Sequence, residues 1–286
     1  MAALALAAAE IAQKDEEAVI ASFPADHLIR TADDNFYEAV IKAYEIAKQS
    51  DRLVTIGLHP TFASTAFGYI HKGSIIEQQG EADIHTVNSF KEKPNESLAA
   101  EFIASGTYVW NAGMFVCKAS TLLQMLQEHH NELFTGITEI SRLFTESKNK
   151  QGLQKEAIDR QIDQAWNNLP AISIDHAIAE PVAAQNRMAV VCASLDWKDV
   201  GDFASLSEIH SSGTDDIRVL GDVNLVQATE SSGFFVPGSR RLIACHGLKD
   251  VAIIDTPDAL LVTTTAEAQN IKKLVGKCKK AFEHVS

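Results

Sequence analysis

The alternation of short apolar runs with an amphipathic segment constrains the fold of this chain most strongly. Residues 18–23 (AVIASF) and 53–57 (LVTIG) are apolar runs typical of fully buried strands. Between them, apolar residues recur at helical spacing over about residues 35–49, and Asp34 stands where an N-cap is needed. This spacing is typical of a strand–helix–strand unit, so we predict an α/β fold with a mainly parallel sheet.

Further strands and helices are indicated along the N-terminal part of the chain. A helix over 96–105 is predicted because Asn95 can cap its start and Gly106 can close its end. Residues 2–14 are rich in Ala and Leu, which favours a helix, and the pattern of 119–167 is also helical. The remaining strands are predicted at 68–73, 86–94, 108–118 and 187–195.

The character of the sequence changes after Gly213. Short runs of Val, Ile and Leu then alternate with turn residues at intervals of roughly 10–12 residues. This spacing predicts stacked short strands, either at the edge of a sandwich or in a β-helix, followed by a terminal helix over 266–282. We therefore expect two domains, residues 1–215 and residues 216–286.

Composition and charge narrow the classes of partner and location. The 286 residues carry a net charge of −13, so we expect no long-range attraction to nucleic acid or to an anionic membrane. No apolar run is long enough to span a bilayer, and the start, MAALALAAAE, lacks the basic residues of a secretory signal. The four cysteines form no C-x-x-C pair, which fits a reducing cytoplasm better than a disulfide framework or a zinc site.

Two acidic motifs follow predicted buried strands. Asp26, in PADH, comes directly after the first strand, and DWKDVGDF places Asp196, Asp199 and Asp202 after the strand at 187–195. Ligands of open α/β sheets bind at the carboxyl ends of the strands, and Mg²⁺ usually takes one or two carboxylates together with substrate phosphates. The two motifs can therefore complete one metal site. The alternative is that these carboxylates cap a turn or the next helix.

Two strand motifs carry polar side chains that suit a small polar ligand. In FKEKP, Glu92 can accept hydrogen bonds from sugar hydroxyls and Lys93 can neutralise a phosphate, and the two point to opposite faces if both lie in a strand. In YVWNAGMF, Asn111 lies in an apolar run and needs partners, while Gly113 lets a ligand approach. Two solvated charges at a strand end, and a bulge with Asn111 bonded to the backbone, are the plainer interpretations.

A neighbouring aspartate and histidine precede a short predicted helix in SIDHAIAE. Asp175 can cap this helix or contact a substrate, and His176 follows it directly. The pair is not part of a hydrolase triad, because no serine or cysteine occurs in a G-x-S-x-G setting. The sequence therefore does not predict a hydrolase.

The order and spacing of these motifs resemble one known family. PADH, HPT…FGYI (59–70), FKEKP, YVWNAGMF, SIDHAIAE and DWKDVGDF follow one another as in the mannose-1-phosphate guanylyltransferases, or GDP-mannose pyrophosphorylases. The resemblance covers nearly the whole chain. It implies a Rossmann-like nucleotidyltransferase domain, incomplete at its N-terminus, followed by a small left-handed β-helix domain. It also implies that GTP and mannose 1-phosphate are joined into GDP-mannose, with release of pyrophosphate.

The resemblance implies a role for each matching residue. Asp26 and Asp199 correspond to ligands of Mg²⁺, the implied cofactor, and Lys93 corresponds to the residue that holds the sugar phosphate. These three would form the catalytic set. The substrate-binding set, which would surround the hexose and its phosphate, is Gly68, Glu92, Lys93, Asn111 and Asp175.

Two departures from the family pattern affect the expected activity. The family reads E-T-G-Y-G-Y where residues 64–69 read STAFGY, which weakens the sugar contacts expected of that loop. The G-x-G-T-R-L-x-P loop, whose backbone N–H groups cradle the triphosphate, does not occur in the 286 residues. The resemblance thus implies an N-terminally truncated chain with little guanylyltransferase activity alone. We also expect the strand at 18–23 to expose an apolar edge, which favours association and is compatible with a homodimer.

Two alternatives to this enzyme stay open. One is a non-catalytic relative that keeps sugar or nucleotide binding and serves as a regulatory subunit. The other is a nucleotidyltransferase that uses another sugar or base, because the base-reading loops of the family lie mostly in the part without a counterpart here.

Overall fold

The chain divides into two compact units. A computed structural model describes residues 1–30, 34–79, 82–209, 212–214 and 216–281. Unit 1 consists of Met1–Ala25 and Ile29–Asp196, and unit 2 consists of Asp26–Leu28 and Trp197–Ser286. Residue 215, at the predicted domain boundary, lies outside the described residues.

A mixed sheet forms the framework of unit 1. The strands of this part of the chain are β1 (Val19–Ser22), β2 (His27–Arg30), β3 (Leu53–Leu58), β4 (Gly68–Gln79), β5 (Ala82–Lys91), β6 (Tyr108–Lys118) and β7 (Met188–Ala193). All except β2 join one sheet in the order β1-β6-β3-β7-β5-β4, with an additional pairing of β6 with β4. Among the described pairings of this sheet, β3–β7 is parallel and the rest are antiparallel.

The prediction of a mainly parallel sheet is therefore wrong. The strand–helix–strand unit does exist, because β1 and β3 run in the same direction. However, β6 lies between them and pairs antiparallel with both. The spacing of the apolar runs correctly predicted that β1 and β3 run in the same direction. It did not predict that β6 lies between them.

Helices cover the sheet. They are α1 (Ala2–Ala12), α2 (Asn35–Gln49), α3 (Glu96–Ser105), α4 (Ala119–His129), α5 (Asn131–Ser147), α6 (Gly152–Asn167) and α7 (Glu180–Ala184). The predicted helices over 35–49 and 96–105 are confirmed. Asn95 Oδ1 accepts from the Leu98 N–H at 2.9 Å and Gly106 ends α3 with φ 68°. Every residue of β3 is buried, as expected of a strand covered on both faces.

Unit 2 contains parallel stacks of short strands. It comprises β8 (Asp196–Asp199), α8 (Phe203–Ile209), β9 (Ser212–Thr214), β10 (Ile217–Val219), β11 (Val226–Thr229), β12 (Gly233–Pro237), β13 (Ile243–His246), β14 (Val251–Asp255), β15 (Leu260–Thr264) and α9 (Lys272–Ala281). β10, β12 and β14 pair in parallel, and β11 and β13 form a second parallel pair. The chain visits the two stacks alternately, which is the arrangement of a β-helix rather than a sandwich edge.

The ends of the chain differ in part from the predictions. A 3₁₀ helix (Thr265–Ile271) precedes α9, so the predicted helix over 266–282 begins later than expected, and residue 282 lies outside the described residues. β1 is the terminal strand of its sheet, at the edge that the sequence predicts. That this edge mediates association stays a prediction. Within the described residues, no helix combines the length and the apolar character needed to cross a membrane.

Candidate functional site

Asn111 is the centre of a buried polar group in unit 1. β6 places it opposite Gly68 of β4, and only 8% of the residue is exposed. Its amide nitrogen Nδ2 donates to Asp175 Oδ1 at 3.0 Å. Its Oδ1 accepts from the Gly113 backbone N–H at 3.1 Å, and Thr55 Oγ1 lies 3.1 Å from the same oxygen. Asn111 is therefore bonded to the backbone, as in the plainer interpretation of its motif. It also contacts Asp175, a second candidate site residue.

Gly68 leaves the space that the Glu92 carboxylate occupies. A Cβ atom at residue 68 would lie 2.5 Å from Glu92 Oε2, 3.1 Å from Phe90 Cζ and 3.3 Å from Asn111 Cβ. Real Cβ atoms do not approach other heavy atoms as closely as the first of these distances. Glycine at this position thus leaves room for the Glu92 carboxylate close to Asn111.

Glu92 and Lys93 lie in the turn that follows β5. Lys93 adopts φ 44°, in the left-handed region that non-glycine residues rarely use. This turn brings Lys93 Nζ to 3.5 Å from Glu92 Oε1. The two side chains were expected to point to opposite faces only if both lay in a strand, and β5 ends at Lys91, before them. The Glu92 side chain is 15% exposed and the Lys93 side chain 64%. The ammonium group is therefore open to solvent beside a mostly enclosed carboxylate.

The electrostatics connect Asp175 to Glu92. Burial raises the pKa of Glu92, the negative charge of Asp175 raises this pKa further, and Lys93 and His176 oppose the rise. Asp175 begins a π-helix (Asp175–Ala179), a local geometry that is frequent at functional sites. The structure thus brings together the substrate-binding set proposed from the sequence: Gly68, Glu92, Lys93, Asn111 and Asp175. His176 was not selected from the sequence, although it stands in the same motif as Asp175.

A second group of polar residues lies in unit 2. Asp26, His27 and Asp199 each offer one ligand atom, and these three atoms lie within 4.8 Å of one another. The Asp26 carbonyl accepts from the Val200 backbone N–H at 2.8 Å, which joins the two motifs. Among the described residues, His27 Nδ1 is buried without a hydrogen-bond partner. His27 is a third donor that the sequence reasoning missed, although it is part of PADH.

The charges in this group favour a cation. Burial raises the pKa of Asp199, the charges of Asp26 and Asp202 raise it further, and His27 opposes the rise. Burial lowers the pKa of His27, which favours the neutral imidazole that can donate an electron pair to a metal. Two carboxylates suit Mg²⁺ or Mn²⁺, and the added imidazole is also a ligand of transition-metal ions such as Zn²⁺ and Fe²⁺. The donor set therefore fits a divalent cation.

Asp202 illustrates the plainer interpretation of an acidic motif. Its Oδ1 accepts from the Ser205 backbone N–H at 2.7 Å and from the Ser205 hydroxyl at 2.9 Å, at the start of α8. This is the geometry of a helix cap. Of the aspartates in DWKDVGDF, Asp199 joins the candidate ligand group and Asp202 caps a helix.

Comparison with known proteins gives two family matches. Residues 1–216 match the model of the nucleotidyl transferase family. Residues 224–278 match the model of the MannoseP isomerase/GMP-like beta-helix domain. The second match falls on the parallel strand stacks of unit 2.

Curated relatives share both parts of this chain. The mannose-1-phosphate guanylyltransferase of Sinorhizobium fredii is 31% identical over 275 residues, which are 96% of this chain and 50% of that protein. The mannose-1-phosphate guanylyltransferase 2 of Escherichia coli O157:H7 is 31% identical over 278 residues, which are 95% of this chain and 54% of that protein. The chain thus spans about half the length of the curated relatives it matches.

A solved structure supports the same fold. The crystal structure described as mannose-1-phosphate geranyltransferase from Thermus thermophilus aligns with a TM-score of 0.72 and 25% identity. The alignment covers 96% of this chain and 73% of that chain. These matches confirm the family resemblance and the predicted combination of an α/β domain with a β-helix domain. The chain belongs to the nucleotidyl transferase family, and its C-terminal part is a domain of the mannose-phosphate isomerase and guanylyltransferase β-helix type.

Proposed function

We propose that this chain provides the sugar-phosphate site and the metal site of a mannose-1-phosphate guanylyltransferase. Such an enzyme forms GDP-mannose and pyrophosphate from mannose 1-phosphate and GTP. The observation that carries the proposal is that Glu92 and Asn111 meet at Gly68, while Asp175 accepts from Asn111 and the Lys93 ammonium group lies beside Glu92. The names of the relatives support the choice of mannose and guanine.

A hexose 1-phosphate suits the chemistry of this group. The Glu92 and Asp175 carboxylates accept hydrogen bonds from hydroxyl groups, and the Asn111 amide has a second N–H to donate. Gly68 lets the Glu92 carboxylate lie close to the backbone beside Asn111, where both can contact a sugar. The Lys93 ammonium group is exposed to solvent, so a phosphate group can bind to it at the surface of the protein.

The proposed reaction is an in-line phosphoryl transfer. An oxygen of the sugar phosphate forms a bond to the α-phosphorus of GTP, while the bond from that phosphorus to pyrophosphate breaks. Lys93 reduces the repulsion between the two anionic reactants, and the residues around Gly68 orient the sugar phosphate. Asp26 and Asp199, with His27, would hold Mg²⁺, which when bound supplies positive charge to the phosphate oxygens.

Binding of sugar phosphates to the 286-residue chain tests the proposal directly. We expect isothermal calorimetry to show that mannose 1-phosphate binds more tightly than glucose 1-phosphate. Glu92→Gln should weaken this binding at least about tenfold, or about 1.4 kcal/mol. Glu101→Gln, on the exposed surface of α3, is the matched control and should change nothing. A folded chain that binds no sugar phosphate contradicts the proposal.

The same experiment separates the alternatives. Preference for a different sugar phosphate or nucleotide would favour a nucleotidyltransferase of other specificity. Binding of mannose 1-phosphate without formation of GDP-mannose agrees with the low activity expected of this chain. Robust GDP-mannose formation by the purified chain would overturn that expectation and exclude a non-catalytic relative.

We also propose that the protein works in the cytoplasm. In the described residues, all four cysteines are free thiols, and Cys117 and Cys192 are buried. Free cysteines fit a reducing compartment.

A further inference from the structure

His176 lies beside the proposed sugar-phosphate site without a role in it so far. It follows Asp175 in the π-helix, and its ring is 56% exposed. Its positive charge, when present, acts on the Glu92 carboxylate in the same sense as that of Lys93. Asp175, its neighbour in the chain, accepts from the Asn111 amide at 3.0 Å, so His176 adjoins the group of residues around Gly68.

Glu180 fixes one edge of the His176 ring. The Nδ1 atom of His176 lies 3.2 Å from Glu180 Oε2, one helical turn further along the chain. When the ring is protonated and Nδ1–H donates to this carboxylate, the Nε2–H on the other edge of the ring can donate to a ligand. A carboxylate that holds one ring nitrogen in this way sets the orientation of the other.

A second positive side chain would help this site to bind an anionic ligand, because several carboxylates surround it. Glu92, Asp175 and Glu180 are carboxylates, and the ion-pair geometry places the positive Lys93 side chain beside Glu92. A sugar 1-phosphate brings further negative charge. A protonated His176 would add to the charge of Lys93 and offset this repulsion, and a hydrogen bond from a charged donor to phosphate is stronger than a neutral one.

We propose that His176 binds the phosphate group of a sugar 1-phosphate together with Lys93, donating from Nε2 while Glu180 holds Nδ1. The inference rests on the proposed function and adds a phosphate-binding residue to it. Glu180 is then a positioning residue, because it acts through His176.

The test compares a ligand that has the phosphate with one that lacks it. Mannose 1-phosphate and methyl α-mannoside are titrated by protein NMR into the wild-type chain, His176→Gln and His176→Lys. We expect His176→Gln to weaken mannose 1-phosphate binding about tenfold. His176→Lys restores a positive charge and should stay within about threefold of wild type. Neither change should affect methyl α-mannoside, and urea unfolding checks that the variants stay folded.

The outcomes separate this inference from the proposed function. Wild-type binding of mannose 1-phosphate with an unchanged affinity in His176→Gln overturns the inference alone. An equal loss for both ligands also overturns it, because the residue would then act on the sugar or on the fold. A folded wild-type chain that binds neither ligand overturns the proposed function and this inference with it.

Discussion

The Asn111 amide donates to the Asp175 carboxylate at 3.0 Å, and this bond joins β6 to the start of the π-helix. The charge of Asp175 in turn raises the pKa of Glu92. Asn111 of β6, Asp175 of the π-helix and Glu92 of the turn after β5 are therefore linked, by a hydrogen bond in the first case and by charge in the second. A substitution of any of these three residues should change both the free energy of unfolding and the affinity for the ligand.

Asn111→Ala should destabilise the fold. The substitution removes the partner of the Gly113 N–H, a contact of Thr55 Oγ1 and the donor to Asp175. Unpaired buried polar groups cost about 1–3 kcal/mol, and we expect urea unfolding to report a loss of this size. The control is Asn149→Ala, whose amide donates to the Thr145 carbonyl on the exposed surface, and its effect should stay within about 0.5 kcal/mol. Equal losses in the two variants would contradict the buried role of Asn111.

Gly68→Ala should separate binding from stability. The new Cβ atom would meet Glu92 Oε2 at 2.5 Å, so the carboxylate must move away from Asn111. We expect mannose 1-phosphate affinity to fall at least about tenfold. The unfolding free energy should change by less, about 1 kcal/mol, because the closest atom ends a flexible side chain. Gly276→Ala in α9 meets nothing within 4 Å and should leave binding unchanged. Wild-type affinity in Gly68→Ala would show that the position of the Glu92 carboxylate is not important for binding.

Glu92 should make the stability depend on pH. Burial, reinforced by Asp175, raises its pKa in the folded protein, so the folded state holds the proton more tightly than the unfolded state. The resulting contribution favours the fold below the unfolded pKa of the carboxyl and is lost as pH rises through the folded pKa. The Glu92→Gln variant lacks this titration. Its unfolding free energy relative to wild type should therefore increase from about pH 4 to about pH 7 in urea titrations.

Glu101→Gln is the control for this pH series, since it removes an exposed carboxylate from α3. Its difference from wild type should change less over the same range. A difference between Glu92→Gln and wild type that is flat or falls with pH would contradict the raised pKa of Glu92.

Removal of either carboxylate should weaken cation binding in unit 2. Mn²⁺, which accepts the same oxygen ligands as Mg²⁺, can be followed by electron paramagnetic resonance. Because Asp26 and Asp199 offer ligand atoms within 4.8 Å of each other, we expect Asp26→Asn and Asp199→Asn each to weaken Mn²⁺ binding at least about tenfold. Asp222→Asn, at a helix cap elsewhere in unit 2, should have no effect. Equal Mn²⁺ affinity in all three variants would refute the site.

Gly233 should be essential to the stacking of the β-helix. It has φ 152°, and a Cβ atom there would lie 2.1 Å from the Val251 carbonyl oxygen of the next coil. We expect Gly233→Ala to cost about 2–4 kcal/mol, because the neighbour is backbone and cannot turn aside. Gly247→Ala, with φ 70° and nothing within 4 Å, tests the left-handed backbone without the clash and should cost about 1 kcal/mol. Similar losses in the two variants, measured by thermal unfolding, would argue against the clash.

Local signals explain which elements the sequence predicted correctly. α3 was predictable at both ends because Asn95 and Gly106 satisfy backbone groups within a few residues of themselves. β6 was predictable because its apolar run is continuous. The position of β6 between β1 and β3 was not predictable, since it depends on pairing between residues distant in the chain.

The site shows the same division. Glu92, Asn111 and Asp175 could be proposed because each stands in a motif whose order the family shares. Their mutual contacts could not, because these depend on the turn after β5 and on the π-helix. His27 and His176 are each adjacent to a selected aspartate, yet a histidine beside an aspartate carries no signal of its own until the fold shows what it faces.

The left-handed backbone of Lys93 sets a limit on how this protein can be stabilised. Glycine adopts φ 44° freely, whereas the left-handed conformation of a residue with a Cβ atom costs roughly 1–2 kcal/mol of folding free energy. Lys93→Gly would relieve this local backbone cost and would also remove the ammonium group beside Glu92. Selection for thermal stability alone would accept such a variant, so a directed-evolution campaign on this protein needs a ligand-binding screen to keep position 93 as lysine.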